Sequence, residues 1–132
     1  MAKKLALIFI TAFLLNAVWE HSHHVLYVHY QGEAITSLIL FRAALFDALI
    51  ISILGVLFLS VRFFRERLWL IALGAIFFAV GLEWFALATD RWAYTDAMPL
   101  VPVIQTGLTP TIQLGFLAYM SIYFVEFLIK KK

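Results

Sequence analysis

Four stretches of about 20 mostly apolar residues, set apart by short polar connections, leave this chain few folds to choose from. They run roughly from Leu5 to Val25, Phe41 to Val61, Leu68 to Ala88 and Thr109 to Ile129. Each is long enough to cross the hydrocarbon of a bilayer as a helix. The chain has only 132 residues, of which 64% are hydrophobic and 14% charged, so it has no interior large enough to hide that much apolar surface. Its expected solvent is lipid. The expected fold is all-α, an integral membrane bundle of four transmembrane helices forming one domain over residues 1–132. No internal repeat, low-complexity tract or flexible linker divides it. Lys3 and Lys4 followed by "LALIFITAFLL" have the plan of a signal peptide, and the segment is read as an uncleaved first span.

Orientation follows from where the charges fall. Basic residues gather at Lys3 and Lys4, at Arg62, Arg65 and Arg67, and at Lys130 to Lys132. Four spans bring all three groups to one side, which the positive-inside rule makes cytoplasmic together with both termini. A multi-pass protein of the cell (inner) membrane is expected. The outer face then carries the connections "NAVWEHSHHVLYVHY" and "TDRWAYTDAMPLVP", whose Trp19, Tyr27, Tyr30, Trp92 and Tyr94 suit an interfacial aromatic belt. Few basic residues lie elsewhere, so a nucleic-acid partner is not expected. The absence of cysteine excludes disulfides and thiolate metal sites.

Counting along the spans from the basic flanks exposes a second pattern. Glu20 lies sixteen residues after Lys4, Asp47 fifteen before Arg62, Glu83 sixteen after Arg67 and Gln113 seventeen before Lys130. At about 1.5 Å rise per residue all four stand roughly 22–26 Å above the inner boundary, in a core about 30 Å thick. Each span thus gives one strongly polar residue to one layer of the outer leaflet. Asn16, Glu20 and either His23 or His24 follow helical spacing and can share a face. Arg42 sits about one turn above Asp47, within pairing reach of an acid. Carboxylates at such depth usually face the bundle interior and mark function. The same layer is also what hydrogen-bonded glue between helices would look like, with Arg42 in a structural ion pair to Asp47 or Glu83.

The histidines admit a metal alternative. "EHSHH" contains Glu20-x-x-His23, half of the paired motif that di-iron bundles use, but the second half is missing. A mononuclear site from Glu20, Glu83 and His23 or His24 stays open. His21 and His29 are expected at the interface or in the outer loop. There is no nucleophile motif, phosphate loop or dinucleotide fingerprint, and no cofactor is expected. Gly55, Gly74, Gly81, Gly107 and Gly115 are read as close-packing positions.

"EWFALATDRWAYTDAMP", Glu83 to Pro99, resembles the lycopene-cyclase-domain membrane proteins and related carotenoid hydratases. In that family an acid near the outer end of a helix is followed nine positions on by Trp and two further by an aromatic. Glu83, Trp92 and Tyr94 keep this spacing. The family's next helix opens with Pro, an apolar residue and paired acids. Here Pro110 is followed by Thr111, Ile112 and Gln113, so only an amide stands where an acid would. The resemblance covers about forty residues of the C-terminal half. It implies a scaffold that holds a long isoprenoid and protonates a double bond from a buried acid.

The residues lead to a similar expectation. A carboxyl group in an apolar pocket keeps its proton readily and can act as general acid beside a better-solvated base. Glu83 is the candidate acid and Glu20 the candidate base or carbocation stabiliser, with Asp47 and Arg42 positioning them. Trp19, Trp84 and Trp92 are expected to line the pocket with their cation-stabilising faces. Asn16, Tyr94 and Gln113 join the substrate-binding set, and His23 or His24 caps it. The expected activity is isomerase- or lyase-type chemistry on an isoprenoid or similar membrane lipid, in a homo- or hetero-oligomer or alone. The alternatives are a non-catalytic or pigment-binding subunit of a larger complex, a metal-dependent enzyme, and a proton path through Glu20, Asp47 and Glu83.

Overall fold

The computed structural model describes residues 1–131 and is mostly helical. Helix α1 (Ala2–His23) leads through a 3-10 turn (His24–Leu26) into strand β1 (Tyr27–Tyr30). Helix α2 (Ser37–Ser60) returns, the short α3 (Arg62–Arg65) turns the corner, and α4 (Trp69–Ala88) ascends again to strand β2 (Trp92–Tyr94). Helix α5 (Leu108–Lys130) closes the bundle. Four of these helices are long and apolar enough to cross a membrane, and their bounds fall within a few residues of those expected.

Local chemistry sets the ends. The Thr36 hydroxyl accepts from the Ile39 amide at 3.4 Å and caps α2. Pro110 sits in the first turn of α5, where its missing N–H costs no helical bond. The helices pack through small residues at turn spacing: Ala12 on α1, Ala44 and Ala48 on α2, Ala75 and Ala79 on α4, Ala118 on α5, all buried. Ile8, Ile51, Ile71 and Ile122 fill the centre. Large apolar side chains cover the outside, with Phe77 76% and Ile53 64% exposed, a surface suited to lipid rather than water.

Of the five glycines read as packing positions, the structure bears out part. A Cβ on Gly115 would lie 2.7 Å from the Ala72 carbonyl oxygen, so α4 and α5 meet there in backbone contact. At Gly55 a Cβ would rest in ordinary contact with Ile8 and Ile122, and at Gly107 it would collide with Met98. Gly74 and Gly81 face open space and have no packing role.

The helix order across the bundle is α2, α1, α5, α4; α2 and α4 make no extensive contact with each other. Lys4 pairs with Glu126 at 2.6 Å, and Arg65 shares a cleft with Lys130, so all three basic groups do lie at one end. The opposite end departs from an all-α plan. β1 and β2 pair antiparallel, Tyr27 opposite Tyr94 and Tyr30 opposite Trp92, and form a two-stranded ribbon between the two connections. The Gln31–Gly32 turn after β1 has positive φ at both residues, 51° and 80°, which glycine accepts without strain. Aromatic residues and valine favour such pairing, and Val28 points outward while Tyr27 and His29 face inward.

Candidate functional site

At the ribbon end the bundle encloses a cavity of about 330 Å³. Helices α2 and α4 flank it, α5 and the end of α1 line it between them, and the ribbon contributes at the outer end. Glu20, Asp47, Glu83 and Gln113, the four residues expected at one depth, all line it.

Gln113 is the joint. Its Nε2 lies 2.7 Å from Glu20 Oε1, 3.0 Å from Asp47 Oδ2 and 3.1 Å from Asn16 Oδ1. An amide nitrogen has two protons, so three acceptors share two donors. Asn16 is fully buried and donates its own amide to the Ala12 carbonyl at 2.8 Å, which turns its oxygen toward Gln113. One side chain of α5 therefore ties α1 and α2 together. It also holds two carboxyl groups closer than the sum of their distances to one nitrogen.

Glu20 has a second partner. His23 Nε2 stands 3.4 Å from Glu20 Oε2, and His23 Nδ1 lies 3.1 Å from Thr109 Oγ1. The imidazole thus packs behind Glu20, edge-on to Trp19 and Tyr27, rather than capping the cavity. The lining histidines are His24 and His29. His29, expected in the outer loop, belongs to β1; its Nδ1 accepts from the Gly32 amide at 2.9 Å and its Nε2 lies 3.5 Å from Asp90.

Glu83, 5% exposed, forms a separate cluster. Its Oε2 accepts from Trp92 Nε1 at 3.1 Å and from the Tyr94 hydroxyl, which in turn accepts from the Gly107 amide at 2.9 Å. The acid and its two aromatic partners, spaced along the sequence, thus form one hydrogen-bonded unit joining α4, β2 and the start of α5. Burial, and then the hydrogen bond to Glu83, push the Tyr94 phenol well above its ordinary range, so it stays a donor. Burial raises Tyr27 in the same direction, with Glu83 the next cause.

Four expectations are corrected. Trp84 does not reach the cavity: it is 54% exposed and donates to the Ile104 carbonyl at 3.0 Å. Trp19 lies outside the cavity wall, against His23 and Phe116, with a buried indole N–H that has no partner among the described residues. Arg42 lines the cavity but makes no ion pair with Asp47 or Glu83 among the described residues. Among the described residues no three His, Asp or Glu side chains converge as metal ligands, Glu20, Glu83 and His23 or His24 included.

Sequence reading missed Tyr27, Tyr30 and Arg91 as lining residues. The alternation in "YVHY" was a signal for Tyr27, on the face of His29; Tyr30 joins them only because the register shifts between Tyr27 and His29. Toward the basic end the last fully buried polar residue among those described is Ser121, whose hydroxyl is satisfied by its own helix at Leu117; the next titratable pair is Lys4–Glu126 at the end of the bundle.

Comparison of the chain with family models, curated proteins and solved structures finds no match.

Proposed function

We propose that the chain is an integral membrane protein with its ribbon end outward, and that its cavity takes an isoprenoid or similar lipid and works on it by proton transfer. The carrying observation is that three carboxyl groups, from α1, α2 and α4, line one cavity whose side walls are helices that do not close on each other. An apolar chain would enter between α2 and α4 without crossing water.

Glu83 is the general acid. Trp92 and Tyr94 both donate to Oε2, so the acid's own proton resides on Oε1. Transfer of that proton to a double bond leaves a carbocation, which the faces of Tyr27 and Trp92 stabilise. Loss of a neighbouring proton to the Glu20–Asp47 pair completes an isomerisation or cyclisation with no net change in atoms. The spacing of Glu83, Trp92 and Tyr94 is what carries the resemblance to the lycopene-cyclase-domain proteins. The lack of paired acids after Pro110 points away from cyclisation of lycopene itself.

Mass spectrometry of apolar molecules co-purifying with the wild type, against a Glu20→Ala/Glu83→Ala control, tests the pocket. A discrete isoprenoid enriched only with the wild type is expected. Bulk phospholipid alone in both samples would remove the reading. Glu83→Gln is then expected to abolish turnover in a folded protein; unchanged turnover would sink the acid assignment.

One observation favours a second reading, a non-catalytic lipid- or pigment-binding subunit. Gln113 spends both its protons on Asn16, Glu20 and Asp47, as helix glue would. Such a subunit would purify with partner chains and convert no lipid.

A further inference from the structure

Two exposed arginines line the cavity and have no acidic partner among the described residues. Arg42 lies on α2 and Arg91 just beyond the end of α4, and both line the cavity. Among the described residues neither side chain makes an ion pair or a hydrogen bond; Arg91 only rests over the Phe85 ring, 5.3 Å from its centroid. The acids of the connections at this end, Glu33, Asp90 and Asp96, make no ion pair with either arginine among the described residues. Asp90, next to Arg91, reaches His29 instead. A guanidinium offers five N–H donors in a planar fork that matches phosphate and carboxylate oxygens. Two such side chains at the lining of one cavity suit an anion.

The carboxyl groups of the same cavity do not contradict this, because they lie deeper. Asp47 is five residues further along α2 than Arg42, roughly 7–8 Å toward the basic end. Glu83 precedes Arg91 by eight residues on the ascending helix. The cavity is therefore basic at its outer rim, acidic on its floor and apolar on its walls, where Ile39, Phe46, Leu82 and Leu114 stand. Its volume is about 330 Å³. That holds a headgroup and the first few carbons of a chain, and the remainder must lie outside between α2 and α4.

We infer that the ligand of this cavity is a single-chain lipid phosphate, its phosphate held by Arg42 and Arg91 and its chain leaving sideways between α2 and α4. This rests on the lipid-binding part of the proposed function and narrows it. Charge selects phosphate over carboxylate: a phosphate monoester carries about −1.5 to −2 at neutral pH, which matches two guanidinium groups. The arrangement sets the first double bond beside the phosphate against the acidic floor. A neutral hydrocarbon would leave both arginines unanswered.

Binding in nanodiscs of phosphatidylcholine, which carry no net anionic lipid, tests the inference. The probes are farnesyl phosphate, farnesol and inorganic phosphate, read through quenching of Trp92 fluorescence, with a Trp92→Phe variant to identify the signal. Farnesyl phosphate is expected to bind at least tenfold more tightly than farnesol. Arg42→Gln and Arg91→Gln should each remove most of that preference while leaving farnesol binding unchanged, and Arg42→Lys should retain part of it. Equal affinity for the two farnesyl probes in the wild type would overturn the inference, even if a variant failed to fold. Inorganic phosphate binding as tightly as farnesyl phosphate would show a plain anion site and overturn the lipid assignment. A preference surviving in both folded Gln variants would remove the arginines from it. These outcomes are independent of catalysis: a loss of the acid–base reading at Glu83 leaves the phosphate preference intact.

Discussion

Replacing Gln113 by Leu removes the joint of the polar layer while nearly keeping its volume. The amide shares two protons among Glu20, Asp47 and Asn16, so about two full hydrogen bonds are lost. Interhelical hydrogen bonds in membranes contribute about 0.6 kcal/mol on average and about 1.7 at most, which gives roughly 1–3 kcal/mol for the pair. Asp47 otherwise has only the Glu20 carboxyl as a hydrogen-bond partner among the described residues, and a stranded acceptor costs about 1–3 kcal/mol when buried. Glu20 keeps His23, and the cavity gives Asp47 some access to water, so that penalty falls at its low end. The expected loss is about 2–4 kcal/mol. Equilibrium unfolding in mixed micelles, followed by circular dichroism over a denaturing-detergent titration, measures it. A double-mutant cycle with Asp47→Asn should return a coupling of about 1 kcal/mol. A loss under about 0.5 kcal/mol, or no coupling, would refute the claim that this amide holds the layer together.

Other outcomes follow from the same geometry. Gly115→Ala drives a methyl group to 2.7 Å from a backbone oxygen that cannot turn aside, and should cost about 1–3 kcal/mol, whereas Gly81→Ala meets nothing and should be neutral or slightly stabilising in the same titration. Tyr94→Phe deletes a hydroxyl that both donates to Glu83 and accepts from Gly107, for about 1–2 kcal/mol of stability in thermal unfolding. Tyr27 and Tyr94 hold their protons more tightly folded than unfolded, so their contribution is complete below the ordinary tyrosine value of 10.0 and drains away as pH rises above it. Ultraviolet titration should show their tyrosinate absorbance appearing together with unfolding; its appearance in the folded protein would contradict this.

Depth was legible in the sequence and direction was not. Helix rise is fixed, so counting residues from the basic flanks put Glu20, Asp47, Glu83 and Gln113 at one level, and they do line one cavity. Around the helix axis the apolar spans give little to count, because nearly every side chain is hydrophobic. Trp84 follows Glu83 directly, and consecutive residues point about 100° apart on a helix. One therefore lines the cavity while the other faces out. Arg42 stood at pairing height with Asp47, but height alone does not make an ion pair. The ribbon was harder still. Its strands lie far apart in the chain and are short, and their register is set by pairing with each other rather than by either segment alone. The Glu83–Trp92–Tyr94 spacing was visible, and only the fold turned it into a hydrogen-bonded unit.

If the proposed lipid enters through the gap between α2 and α4, concentration takes on another meaning for this protein. A ligand that arrives sideways from a bilayer is presented at its mole fraction among the surrounding lipids, and the volume of water in the tube does not enter. Adding empty micelles or lipid at constant total ligand would then weaken apparent binding by simple dilution, while diluting the whole sample with buffer would leave occupancy nearly unchanged.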